Sequence, residues 1–401
     1  MSEWQEVSLD TVAQINPTES LSKGAMAKKF AMDALQPFTK KPSRYEIEAY
    51  SGGMKFKNGD TVVARITPCL ENGKTAYIDL LEENEVAYGS TEYIVLREKF
   101  GVTDKQFLYY FSISPIFRDV AIASMTGSSG RQRVQTDVVK QHVFEMPPLQ
   151  EQKAIASVLS SLDDKIDLLH RQNTTLERMA ETLFRQWFVE EAQEDWDELP
   201  LGEVATVQNG YTFSSSDYVE FQEGFLEVFK MGHIQPGGGL RFAPKADFVP
   251  RSDKLKRWIL NKNDIVMAMT DMKDNMGILG HPAMIDVSDK YALNQRVARI
   301  YLESTNKLSS IHLLYLQLST EEAISLLQSK ANSGVQVNLT TEAIKSIPIT
   351  IPPASIQKRV LETIQPIFDK LNINRTQIQT LEKLRDTLLH KLMNGEVRVV
   401  N

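Results

Sequence analysis

Apolar side chains recur in alternating steps of four and three over two long stretches of this chain. The first series is Ile155, Leu159, Leu162, Ile166, Leu169, Asn173, Leu176, Ala180, Leu183 and Trp187. The second, 205 residues later, is Val360, Ile364, Ile367, Leu371, Asn374, Ile378, Leu381, Arg385, Leu388 and Leu392. This spacing is a heptad seam and predicts two long helices that pack along one stripe. Each series follows a proline pair, Pro147-Pro148 and Pro352-Pro353. Proline lacks an amide hydrogen, so it suits a helix start and not a helix interior. Pro366 sits inside the second series and is expected either to kink that helix or to mark its true start. Arg385 departs from the apolar rule, with Leu384 as the alternative occupant. Ten layers cover roughly 33 residues, or ~50 Å at 1.5 Å per residue.

Each seam holds one asparagine. If the helices pair antiparallel about their midpoints, the numbers of facing residues add to 547, and Asn173 faces Asn374. A paired buried asparagine fixes register at some cost in stability. The alternative is two unrelated polar seam positions.

Outside the seams the pattern is mixed. Asp60 to Ile66 is β-rich between Gly59 and Pro68, and Glu92 to Leu96 follows Gly89-Ser90 as a second strand candidate. Gln106 to Phe117 has helical period, with Phe107, Tyr110, Phe111 and Ile116 on or near one face. Thr126 to Gly130 has loop composition. These segments recur. Asp60-Thr61-Val62-Val63-Ala64 matches Asp264-Ile265-Val266-Met267-Ala268, Ser129-Gly130 matches Ser333-Gly334, and Trp4 to Val12 matches Trp196 to Val204. The chain is therefore an internal repeat, able to place two similar surfaces around a pseudo-twofold axis.

Composition narrows the class. At 401 residues and 42% hydrophobic content, the chain can bury real cores in two to four domains. No apolar run is as long as a membrane span, and the acidic N-terminus lacks a signal-peptide pattern. One cysteine, Cys69, excludes an internal disulfide and fits a reducing cytoplasm. The net charge of −7 is unusual for a nucleic-acid binder, although local patches matter more than the sum. The acidic run Glu190 to Glu198 reads as a solvated linker between the halves.

The two Pro-Pro-x-x-x-Gln segments (Pro147 to Gln152, Pro352 to Gln357) each lead into a long helix. Together with Arg65-Ile66-Thr67-Pro68-Cys69-Leu70-Glu71-Asn72-Gly73-Lys74, Gly89-Ser90-Thr91-Glu92-Tyr93 and Leu392-Met393-Asn394-Gly395-Glu396, their order resembles the specificity subunit of type I restriction-modification systems over almost the whole chain. The resemblance implies an α+β fold: two similar mixed α/β target-recognition domains separated by two long helices in an antiparallel coiled coil. It implies target-recognition domain 1 at 1–148, long helix 1 at 149–190, a linker and target-recognition domain 2 at 191–352, and long helix 2 at 353–401. It also implies a non-catalytic subunit that reads a bipartite asymmetric sequence in double-stranded DNA. Two methyltransferase subunits would dock on it and carry S-adenosylmethionine, with none bound by this chain, and restriction/translocase subunits can join. The rival reading is a coiled-coil scaffold with two protein-binding heads.

Candidate DNA contacts follow from side-chain chemistry. Arg65, Thr67, Lys74, Ser90, Thr91 and Glu92 form a first set: arginine can fork onto guanine, glutamate can accept from cytosine, and lysine suits phosphate. The competing reading is an Arg65–Glu92 pair on neighbouring strands. Arg131, Gln132 and Arg133 tip a flexible loop. Its counterpart, Asn332 to Asn338, lacks both arginines but offers Gln336 and Asn338, which suit adenine. In the second half Tyr211, Lys273, Asn294, Gln295 and Arg296 occupy the corresponding zones, and Tyr211 has a core reading beside the interface one. Gly73-Lys74-Thr75 lacks the earlier glycine of a phosphate loop, since Pro68 stands there. The proline pairs lack the polar and aromatic neighbours of a methyltransferase motif. Six scattered histidines give no metal-ligand spacing.

Overall fold

A computed structural model describes residues 4–193, 196–241, 244–273, 276–303, 307–332, 334 and 336–399. The chain divides into two compact units, one made of Met1–His170 with Gln377–Asn401, the other of Arg171–Thr376.

In the first unit, strands Ala13–Ile15, Tyr93–Glu98, Thr61–Ala64 and Thr75–Tyr77 lie side by side in that order, all antiparallel. A second four-stranded sheet runs Glu46–Ala49, Met26–Phe30, Ala87–Gly89, Lys55–Phe56, with the middle pair parallel. Gln5–Ser8 pairs with Val143–Met146, which leads into the first long helix. The stretch read as one helix, Gln106 to Phe117, is two: Lys105–Ile113 and Pro115–Ala123. Ser114 between them is extended (φ −75°, ψ 159°), because the residue before a proline is driven out of the helical region.

The second unit repeats this plan. Strands Thr206–Asn209, Val297–Tyr301, Ile265–Ala268 and Pro282–Met284 form the antiparallel sheet in the same order. Leu226–Phe229 pairs with Phe248–Val249 and runs parallel to Tyr291–Leu293. Asp197–Pro200 pairs with Pro348–Ile351. The acidic run therefore ends early as a linker, since Asp197 and Glu198 belong to a strand and Trp196 packs near Phe188 (ring centroids 5.8 Å). Glu194 and Asp195 of that run, and Ser333 and Val335 of the second loop, lie outside the described residues.

The long helices span Leu149–Arg185 and Ala354–Met393, each starting directly after its proline pair. Pro366 does not start the second helix but lies within it on an exposed face, where water can satisfy the carbonyl it leaves free. In the first unit Ile166 and Leu169 cluster with Ile378 and Leu381, and Ile155 and Leu159 share a core with Leu388 and Leu392. In the second unit Asn374 Nδ2 donates to Asn173 Oδ1 at 2.9 Å, and both residues are buried. Arg385 keeps its seam position and Leu384 is exposed. Arg385 can be buried because its guanidinium donates to Asp163 Oδ1 (2.9 Å) and to the Phe38 carbonyl (3.1 Å), while Tyr110 Oη donates to Asp163 Oδ2 (2.6 Å).

The Pro-Pro-x-x-x-Gln segments explain themselves at this level. Gln152 Nε2 donates to the carbonyls of Val102 and Pro147, and its Oε1 accepts from the Asp104 amide. Gln357 does the same with Lys307, Pro352 and Ser309. Each glutamine is almost fully buried and ties a helix start to the loop beneath it. A second matched device joins strands within each sheet: Arg97 Nε meets Asp60 Oδ1 at 2.6 Å, and Arg299 Nε meets Asp264 Oδ2 at 2.8 Å.

Candidate nucleic-acid interface

In the first unit three segments converge. Strand Thr61–Ala64 runs out into Arg65 and Thr67, strand Tyr93–Glu98 begins beside Glu92, and the loop after Thr126 returns through Arg131 to Arg133. Backbone bonds lock them together. The Arg65 amide donates to the Glu92 carbonyl (2.9 Å), the Thr67 amide to Gln132 (3.0 Å) and the Val134 amide to Arg65 (2.9 Å). Ser90 Oγ accepts the Glu92 amide at 3.0 Å, so it shapes the turn, while Thr91 is exposed.

The ion pair in this cluster is not the one considered from sequence. Glu92 takes Arg133, whose Nε lies 3.0 and 2.9 Å from its two oxygens and whose Nη2 lies 2.7 Å from Oε1. The hydrogen bonds from Arg133 hold the Glu92 carboxyl below its usual range, against the opposing effect of burial, and Arg65 adds to the pull. Arg131 is exposed at the loop tip. Lys74 is not brought into this group, because its amine donates to the Met32 carbonyl at 2.9 Å.

The second unit builds the same frame with other side chains. The Met269 amide donates to the Arg296 carbonyl (3.0 Å), so Arg296 stands where Glu92 does. The Leu339 amide donates to Met269 (2.7 Å), so Asn338 stands where Arg133 does. Asn338 Oδ1 accepts from Thr270 Oγ1 (2.8 Å), its Nδ2 lies 3.3 Å from the Gln336 carbonyl, and Thr270–Met272 pairs with Gln336–Asn338. Gln295, Arg296, Lys273 and Gln336 are exposed. Asn294 is buried, and its Oδ1 accepts the Arg296 amide at 3.2 Å, so it supports the turn and does not present itself to a ligand.

Tyr211 is half-buried against a small core and edge-on to Trp258 (5.0 Å), with Lys254 Nζ 4.9 Å above its ring. This exposes a group that the sequence reading passed over, Lys254, Arg257 and Trp258. Arg257 and Trp258 line an open cleft of about 420 Å³ together with Asn209, Tyr301 and Thr341. The run Lys254-Leu255-Lys256-Arg257-Trp258 was the available signal, since three cations beside an aromatic suit phosphates and a stacked base. Among the described residues no cluster of histidine, cysteine and acidic side chains is arranged to hold a metal ion, and no helix is long and apolar enough to cross a membrane.

Comparison with known proteins agrees with this doubled plan. The pattern of the type I restriction modification DNA specificity domain matches residues 1–178 and again 193–383. The chain is 27% identical over 333 residues to the type I restriction enzyme MjaVIII specificity subunit of Methanocaldococcus jannaschii, covering 78% of this chain and 75% of that protein. It is 31% identical over 206 residues to the EcoAI specificity subunit of Escherichia coli, covering 48% of this chain and 35% of that one. The crystal structure of the type I restriction-modification S subunit from M. genitalium shares the fold at a TM-score of 0.50 and 17% identity, over 97% of this chain and 96% of that one. With two matched domains that together take in most of its length, the chain belongs to the type I restriction modification DNA specificity family.

Proposed function

We propose that this chain is the sequence-specific DNA-binding subunit of a type I restriction-modification complex. It reads a bipartite, asymmetric target in double-stranded DNA, one block per target-recognition domain. The observation that carries this reading is a single backbone frame, present twice, that bears Glu92 and Arg133 in one copy and Arg296 and Asn338 in the other. Two readers of different half-sites need that combination: shared architecture for docking and divergent side chains for base edges.

The chain supplies no chemistry of its own. Two methyltransferase subunits bring S-adenosylmethionine and transfer the methyl group to a flipped base, and restriction subunits join the same scaffold. The long helices act as an antiparallel coiled coil whose length sets the gap between half-sites. The Asn173–Asn374 bond and the cluster of Ile166 and Leu169 with Ile378 and Leu381 support a register in which facing residue numbers add to 547.

The test is to map methylated adenines genome-wide in cells that have and lack this chain. A reader yields two short blocks at fixed spacing that vanish with the chain. A scaffold with protein-binding heads leaves the methylated sequence unchanged.

A further inference from the structure

We propose that Arg133 reads a guanine in one block of the target and that Glu92 holds it in the reading pose. This rests on the DNA-reading function above and assigns one residue pair within it.

A guanidinium has five N–H donors arranged along its edges. Glu92 occupies the edge formed by Nε and Nη2. The remaining edge, Nη1 with the second Nη2 hydrogen, presents two parallel donors, and Nη1 has no hydrogen-bond partner among the described residues. That pair of donors matches O6 and N7 of guanine in the major groove. Arg133 is also fixed at its root. Its amide donates to the Thr126 carbonyl (2.9 Å), its carbonyl accepts the Thr126 amide (3.0 Å), and the next residue is tied to Arg65. A side chain pinned at both the backbone and the guanidinium loses little freedom on binding.

The same geometry decides what Glu92 does. Both of its oxygens are engaged by Arg133, so its part is to position the arginine. Arg65 also acts on Glu92, so one carboxylate faces two cations, and the patch stays attractive to DNA. The two side chains are 45% and 23% exposed, so the free edge is reachable. In the second unit the equivalent place holds Asn338, already bonded to Thr270, beside Arg296, which forms no ion pair among the described residues. The assignment is therefore confined to one block.

The experiment uses the full chain assembled with its methyltransferase partners and selects from random-sequence duplex DNA. Wild type is compared with Arg133→Ala, Arg133→Lys and Glu92→Ala, each checked for an unchanged melting temperature. Wild type should yield two blocks. Arg133→Ala and Arg133→Lys should relax a guanine at one position by roughly 10- to 100-fold, since lysine keeps the charge but not the fork. Glu92→Ala should relax that same position and leave the other block intact, a coincidence that a general folding defect does not produce. Unchanged base preferences in both Arg133 variants overturn the assignment while leaving the DNA-reading function standing. Relaxation at a different position in Glu92→Ala overturns the positioning role. A wild-type complex that enriches no two-block sequence overturns the function itself.

Discussion

Arg385 and Asp163 form a buried ion pair at 2.9 Å, whereas the positions related to them by the internal repeat, Ala180 and Phe368, share an apolar core. One layer of the repeat is thus ionic in the first unit and hydrophobic in the second. Removing one member of a buried pair strands the other charge, so Arg385→Ala should lower stability by about 3–5 kcal/mol. Adding Asp163→Phe copies the apolar layer and should recover part of that loss. Urea midpoints at constant m decide this, and a double variant no more stable than Arg385→Ala alone would refute it.

Gln152 and Gln357 make the same three bonds in the two units. Truncating either to alanine leaves a loop amide and two carbonyls without their partner, at a cost of about 1–3 kcal/mol. The two single variants should lose equal stability. A large inequality would mean that the glutamines differ in role despite matched geometry.

Acid should destabilise the second unit through His312. Its ring stacks on Phe368 at 4.2 Å, and burial pushes its pKa below 6.5 despite the bond to Gln365. Burial lowers His281 in the same unit as well. The unfolded chain takes up a proton below that value while the folded one resists, so stability is intact above 6.5 and falls as pH drops toward the depressed folded value. His312→Phe should flatten the decline in melting temperature between pH ~7.5 and ~5.5. A curve as steep as wild type would assign the acid sensitivity elsewhere.

Arg131, exposed at a loop tip, should touch phosphate. Arg131→Ala is expected to weaken binding about equally for all sequences and to reduce the salt slope by about 1. A changed base preference with an unchanged slope would move Arg131 into the base-reading group.

If the seam sets the gap between blocks, four residues added to both long helices lengthen it by about 6 Å, or ~2 base pairs. The methylated spacer should grow accordingly. A spacer of the original length in the extended protein rules out the ruler.

What the sequence made legible was whatever repeats locally. Heptad spacing and proline punctuation gave the long helices to within a residue at their starts, and the duplicated strand Thr61–Ala64 marked two sheets. Pro115 also carried its signal, and the break at Ser114 follows from it although periodicity alone ran through it. The rest depended on contacts distant in sequence. Arg385 looked like a defect because Asp163, which satisfies it, lies in the other long helix and beside the seam, not on it. The glutamines' partners are backbone atoms, which no side-chain pattern announces. Asn294 and Lys74 have reading chemistry, but one is buried and the amine of the other lies at the Met32 carbonyl, away from the converging segments. The basic-aromatic run at Lys254 to Trp258 stands in the sequence, but its value appears only when Tyr211 folds against it.

The first unit is completed by the far end of the chain. Trp4 Nε1 donates to Glu151, Arg398 grips the same carboxylate, and Leu389, Leu392 and Met393 fill the core around Ile155. On the ribosome, residues Arg171–Thr376 must emerge before that core can close. The first unit is therefore sealed only after the second has been made. Until Leu389, Leu392 and Met393 arrive it carries an open apolar seam around Ile155, so a chain stopped before Gln377 would leave the first unit unfinished with the second already made.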